Sequence, residues 1–391
     1  MSTSLFDRYQ VIDIDTHLTE PADVWTSRLS TKWGDRVPHV RRVDGTDLWF
    51  AGDTPVGMPG AYSMAGHDGT PPDFRKNYDE IPASMYDAKA RLAFMDEEKI
   101  YAQVLYPNVG GFGSANFRRL DDAELVLDCV RAYNDFLLDF CAINPNRLIP
   151  VMATPFWDVA ESVKEIERCA RLGYKAVLMC NTPEAHDQPV LRDRHWDPIW
   201  AAAQRNGMNV SFHVGGGDLA ELMKDDANIG WKANFARVSV LAFIDNARCL
   251  TEIVFGGVCH RFPDLKMVSV ESGASWIPFV VEAMDWQWHN SGVRSEHPEY
   301  DLLPSEYFRR QIYASFWFEE DGIATALKKF PDNILYETDY PHPTCQAPGP
   351  VSSGTHPRLY AEKVLAGLPE ETIRKVLHDT AAELYGVLPT S

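Results

Sequence analysis

Residues 148–180 read LIPVMATPFWDVAESVKEIERCARLGYKAVLMC. Two apolar runs, LIPVMATPF (148–156) and YKAVLMC (174–180), flank a segment at 158–172 with helical spacing of its apolar residues. Short, near-continuous runs rich in Val, Ile and Leu are the pattern of parallel strands covered on both faces. The stretch is therefore a strand–helix–strand unit.

Working outward, the unit repeats. Further runs lie at VIDID (11–15), AQVLYP (102–107), NVSFHV (209–214), KMVSVE (266–271), IYASFWF (312–318) and NILYETD (333–339), which makes eight strands. Helical patterns occupy 85–98, 121–142, 196–206, 237–253 and 274–288, and two more follow the last run at 357–367 and 369–385. This alternation predicts an α/β fold, a closed (β/α)8 TIM barrel, with an open doubly wound sheet as the alternative. Residues 1–391 are read as a single barrel domain. Three insertions, at about 26–82, 216–236 and 341–356, leave the C-terminal ends of strands, so they are expected to roof the catalytic face.

Composition narrows the function. A formal net charge of −19 repels phosphate backbones and anionic membrane faces, so nucleic acid and membrane are excluded as partners. The first residues, MSTSLFDRYQ, carry no basic segment followed by an apolar one, and no apolar run reaches membrane-spanning length. Seven scattered cysteines without a CxxC pair read as a reducing, cytoplasmic environment. No GxSxG, P-loop or dinucleotide fingerprint is present.

The chemistry lies at the strand ends. Asp15 and His17 close the first strand, two apart and so on one face. His213 closes the fifth, Glu271 the sixth and Asp339 the eighth, with His342 three residues on. Singly, each has an ordinary explanation: a capping Asp, a satisfied core histidine, a helix cap. Together, in one register at one rim, they point to a divalent metal, with Asp15, His17, His213 and Asp339 converging on one ion. Trp276, Trp317, Asn108 and Asn181 adjoin the rim and are candidate pocket residues, and Arg118 and Arg119 could bind a substrate carboxylate.

With these residues in place, the chain resembles the amidohydrolase superfamily, in the branch of aminocarboxymuconate-semialdehyde decarboxylase and related hydrolases, hydratases and decarboxylases. The resemblance rests on the first-strand metal motif, HWDPIWAAAQRNGMNVSFHVGG (195–216), FPDLKMVSVESGASWIP (262–278), NILYETDYPHP (333–343) and IRKVLHDTAAELYGV (373–387). It implies a metal-dependent enzyme with Asp339 as base. Three positions depart from the superfamily pattern. Asp15 replaces the first His of the usual HxH, Glu271 replaces the usual sixth-strand His, and Lys175 starts the fourth strand that Cys180 and Asn181 end. No modified-lysine bridge is therefore expected.

The added carboxylates open two readings of the site. In one, a single ion leaves Glu271 as an acid or base and His342 as a hydrogen bonder. In the other, Glu271 and His342 complete a second metal position, as in the dinuclear, oxygen-activating branch exemplified by 2-aminoisobutyrate hydroxylase. The cofactor is one or two divalent ions per chain, Zn, Mn or Fe, and hard oxygen donors shift the preference toward Mn or Fe. Three functions follow. They are hydrolysis or decarboxylation of a small organic molecule (with Asp339, Glu271 and His342 as the catalytic groups), oxygen-dependent hydroxylation, and a non-catalytic metal-binding subunit supporting a paralogue. A homo-oligomer, or a hetero-oligomer with such a paralogue, is the expected assembly.

Overall fold

Each of the eight apolar runs becomes a strand in the computed structural model, which describes residues 4–111, 116, 117, 120, 122–217, 228–346, 349 and 354–388. In chain order the strands are β1 (Val11–His17), β2 (Pro38–Val43), β3 (Thr46–Ala51), β4 (Thr54–Gly57), β5 (Ile100–Tyr106), β6 (Leu148–Met152), β7 (Ala176–Cys180), β8 (Asn209–His213), β9 (Met267–Val270), β10 (Ile312–Phe316) and β11 (Ile334–Tyr336). Eight of them form one parallel sheet in the order β1-β5-β6-β7-β8-β9-β10-β11. A bridge between Thr16 and Tyr340 and the bonds His17 N–H to Tyr340 O (2.7 Å) and Asp339 N–H to Asp15 O (3.0 Å) join the last strand to the first. The sheet is a (β/α)8 barrel.

The continuous hydrophobicity of the runs follows from this closure. Ile12, Ile14, Val104, Leu178 and Val268 pack together inside the barrel, while Val11, Leu105, Met179, Phe212 and Met267 belong to the layer beneath the helices. Alternate residues face opposite sides and both sides are dry. The helix Thr380–Tyr385 closes the N-terminal end, adding Ala381, Leu384 and Tyr385 to the interior cluster. Asn209, at the start of β8, ties its side-chain amide to Leu384 O.

Several expectations shift in detail. The insertion at 26–82 carries a three-stranded antiparallel sheet, β2-β3-β4, that was not foreseen. Its signal was present in VDGT (43–46): Asp44 and Gly45 both have positive φ, 49° and 81°, as a two-residue hairpin turn requires. The helix expected at 237–253 runs from Trp231 to Phe255. Its first turns lie in the stretch expected as a 216–236 loop. Trp231 and Phe235, one turn apart, stack with ring centroids 5.1 Å apart, and Trp231 meets Phe74 of the 26–82 insertion edge-on. Residues 218–227, part of the 341–356 stretch, and Arg118 and Arg119 lie outside the described residues. Among the described residues no helix is long and apolar enough to cross a membrane.

Candidate metal centre

β9 stops at Val270 and β11 at Tyr336, short of the two acidic residues expected to end them. Glu271 and Asp339 instead sit in the left-handed region, with φ of 55° and 58°. This region is rare for non-glycine residues and is held only where surrounding contacts enforce it. Here the enforcing contacts are visible: Glu337 Oε2 accepts the Glu271 N–H (3.3 Å), and the Asp339 N–H is committed to Asp15 O across the barrel seam. Both carboxyls are thereby turned toward the barrel axis, where they meet each other.

Asp15, His17, His213 and Asp339 are fully buried, and Glu271 and His342 are nearly so, 8% and 7% exposed. Their donor atoms fall into two groups. Asp15, His17, His213 and Glu271 converge within 4.8 Å of one another, and so do His17, Glu271, Asp339 and His342. All six residues expected at the rim are thus brought together. The expected quartet is redistributed, with Asp339 beside His342 and with His17 and Glu271 common to both groups.

The hydrogen bonds on the far side of each imidazole fix what faces the cluster. Carbonyl oxygens only accept, so His17 Nδ1 donates to Pro107 O (3.3 Å) and His213 Nδ1 donates to Val214 O (2.8 Å). His342 Nε2 donates to Asn108 Oδ1 (2.7 Å), because the Asn108 amide nitrogen already donates to Leu18 O (2.6 Å). The opposite nitrogens then present lone pairs. His17 Nε2 lies 3.2 Å from His213 Nε2 and 3.3 Å from Asp15 Oδ1. His213 Nε2 lies 3.3 Å from Glu271 Oε2, and His342 Nδ1 lies 2.8 Å from Asp339 Oδ1. Despite that proximity Asp339 Oδ1 has no hydrogen-bond partner, and neither has either oxygen of Asp15. Buried lone pairs facing one another repel unless a cation lies between them.

Electrostatics agrees. Burial and then the neighbouring His342 push His17 down to about 3, and burial lowers His342, so the two rings, stacked at 3.7 Å, are neutral. Burial also lowers His213, but Asp15 and Glu271 outweigh it and leave that nitrogen avid for a positive charge. Against burial, His213 and His17 hold Asp15 well below the usual carboxylate range. Burial and neighbouring carboxylates raise Glu271 and Asp339 well above it. Among the described residues no Lys or Arg is ion-paired with any of these acids. Three carboxylates and three oriented imidazoles fit one or two divalent cations.

Two further acids went unnoticed in the sequence. Glu337 is fully buried against the cluster, where its Oε2 meets the Glu271 N–H, and its only sequence signal was an acid just past an apolar run in YETD. Asp13, two residues before Asp15, accepts from Thr338 N–H (2.9 Å) and Oγ1–H (2.6 Å) and so pins the seam beside the cluster.

Glu271 and His342 also form the floor of a cavity of about 390 Å³. Its walls come from Ala61, Tyr62 and Phe74 of the 26–82 insertion, from Trp231, Phe235 and Phe243 of the long helix, and from Pro343 and Thr344. The four expected pocket residues do not line it. Trp317 is buried against Phe243 and borders an adjacent cavity of about 430 Å³. Trp276 turns its indole N–H to Ser272 O (3.0 Å), and Asn181 bonds Asn246 Oδ1 (2.7 Å). Asn108 lies behind His342.

Comparison with known proteins agrees with this architecture. Residues 12–387 match the family described as Amidohydrolase. A 2-amino-3-carboxymuconate-6-semialdehyde decarboxylase of Dictyostelium discoideum is 24% identical over 332 residues, spanning 82% of this chain and 81% of that protein. A gamma-resorcylate decarboxylase of Rhodococcus jostii is 28% identical over 283 residues, spanning 68% and 80%. Among solved structures, 5-carboxyvanillate decarboxylase of Novosphingobium aromaticivorans, complexed with manganese and 4-hydroxy-3-methoxy-5-nitrobenzoic acid, shares the fold with a TM-score of 0.64. That match is 19% identical and covers 97% of this chain and 96% of the other. The chain belongs to the amidohydrolase family and is a metal-dependent enzyme.

Proposed function

We propose that this enzyme decarboxylates a small organic acid, with its substrate seated in the 390 Å³ cavity over the histidine–carboxylate cluster. The observation that carries the reading is the floor of that cavity, where Glu271 and His342 link an apolar chamber to the buried donor atoms. The decarboxylase relatives support this choice over hydrolysis. Asp15, His17 and His213 would hold a divalent cation, with manganese or iron favoured by the oxygen donors, and it would supply Lewis-acid polarisation of the substrate's carboxylate. The aromatic walls exclude water and hold the substrate skeleton. The insertion at 26–82, with Pro343 and Thr344, acts as the roof. The carbon–carbon bond to the carboxylate breaks, CO2 leaves, and the electron pair stays on the substrate carbon. Glu271, the carboxyl that both reaches the cavity and is raised by burial, gives that carbon its proton and regains one from water.

The test is CO2 release by the purified chain with Mn(II), Fe(II) or Zn(II) on hydroxybenzoates and unsaturated amino dicarboxylates. E271Q is expected to abolish release while the ion held by Asp15, His17 and His213 is retained. Release undiminished in E271Q refutes the assignment of the acid.

A second reading, oxygen activation by two cations, is favoured by one observation: His17 and Glu271 belong to both donor groups. Oxygen consumption by the Fe- or Mn-loaded enzyme, coupled to hydroxylation and without CO2 release, would establish it in place of decarboxylation.

A further inference from the structure

We propose that Asn108, braced by Glu20, is a positioning residue that fixes the His342 ring so that its Nδ1 and Asp339 together form a seat for a divalent cation. The inference rests on the two-cation reading of the site.

The argument begins in the turn after β5. Tyr106 ends the strand, and the next two residues each orient one imidazole. Pro107 offers its carbonyl to His17 Nδ1, and Asn108 offers its side-chain oxygen to His342 Nε2. These are the two rings that stack at 3.7 Å. A side chain at position 108 must accept from His342 and donate to Leu18 O at once, and the primary amide of Asn does both. Nothing about the amide is then left to chance, because the donation to Leu18 O (2.6 Å) decides which end is oxygen.

The turn itself is held by Glu20. Its Oε1 accepts the backbone N–H groups of Asn108 (2.8 Å) and Val109 (3.0 Å), and the side chain is fully buried. Glu20 belongs to the segment that leaves β1, as does Leu18. The segment carrying His17 and the turn carrying Asn108 are therefore locked to each other before His342 arrives from beyond β11. The consequence for His342 is a defined tautomer. Nε2 carries the hydrogen, and Nδ1 presents a lone pair 2.8 Å from Asp339 Oδ1, an oxygen with no hydrogen-bond partner. Two such atoms held at that distance share either a proton or a metal cation, and a divalent ion beside them satisfies both. Asn108 acts on the cation only through the ring, as outer partners of metal-binding histidines do.

The experiment is equilibrium dialysis of the full chain against Mn(II), with thermal unfolding measured in EDTA and in Mn(II). Wild type is expected to bind two ions per chain. Asn108→Leu, matched in size but unable to hydrogen-bond, is expected to bind one ion with unchanged affinity and the second about 10- to 100-fold more weakly. Its Tm in EDTA should move little compared with the loss of its Mn(II)-induced rise. Asn108→Ser, which is smaller and cannot span the gap to His342, should behave the same way. It provides a second reading if the leucine variant folds poorly. If wild type and both variants bind two ions with equal affinity, the role of Asn108 is overturned while the two-cation reading stands. If wild type itself binds one ion and the variants match it, both are overturned.

Discussion

Replacing Asp13 with Ala should open the seam that sets the metal centre. Asp13 is fully buried and accepts from Thr338 N–H at 2.9 Å and Thr338 Oγ1–H at 2.6 Å, with Gln103 Nε2 at 3.3 Å. Burial pushes its carboxyl up to about 7, so near neutrality about half of the molecules carry it ionised and these bonds lie between neutral and charge-assisted strength. The truncation leaves two donors of Thr338, itself 2% exposed, without an acceptor. A buried unsatisfied donor costs about 1–3 kcal/mol, and the hydroxyl recovers part of its share by rotating, so about 3 kcal/mol is expected in total. That is a large part of the stability of a typical domain. Thr338→Val, which keeps the backbone bond and loses only the hydroxyl, should cost about 1 kcal/mol. Urea unfolding at pH 7 in EDTA measures both without a contribution from bound metal. Asp15 and Asp339 lie two residues and one residue from the broken pair, so Mn(II) affinity should fall in D13A as well. If D13A unfolds within about 1 kcal/mol of wild type and binds Mn(II) normally, the seam does not depend on this bond and the reasoning fails.

Other outcomes follow from the same geometry. His213 belongs only to the Asp15 donor group and His342 only to the Asp339 group, so H213A and H342A should each release about one Mn(II) per chain by metal analysis; release of both ions by either variant would contradict the division. Burial raises Glu20 from 4.5 to about 7, which means the folded chain holds this proton more tightly than the unfolded chain does. Its stabilising contribution is therefore complete below pH 4.5 and is lost as pH rises through about 7, amounting to about 3 kcal/mol. In EDTA, Glu20→Gln should remove that decline from the pH dependence of urea unfolding, and an unchanged profile would show that Glu20 does not ionise in this range.

The barrel was legible because its cause is local. Eight runs buried on both faces must be hydrophobic at every position, and helices covering one side must be amphipathic, so LIPVMATPF and YKAVLMC declare themselves in one dimension. The six donor residues were legible for a related reason: strand ends in a parallel barrel share a rim, and Asp15, His17, His213, Glu271, Asp339 and His342 all fall there. The division into two donor groups was not legible. It depends on the left-handed turns at Glu271 and Asp339, which contacts from Glu337 and Asp15 enforce across the sheet. The pocket walls also escaped the sequence. Phe74 and Trp231 are far apart in the chain and meet only when an insertion folds over the barrel and the long helix starts early. Asn108 shows the boundary most plainly. Its position after a strand made it a candidate for the pocket, whereas its actual partners, Leu18 and His342, come from the opposite ends of the chain. Sequence periodicity determines which face a residue occupies, but a hydrogen bond between distant segments is settled only once the barrel closes.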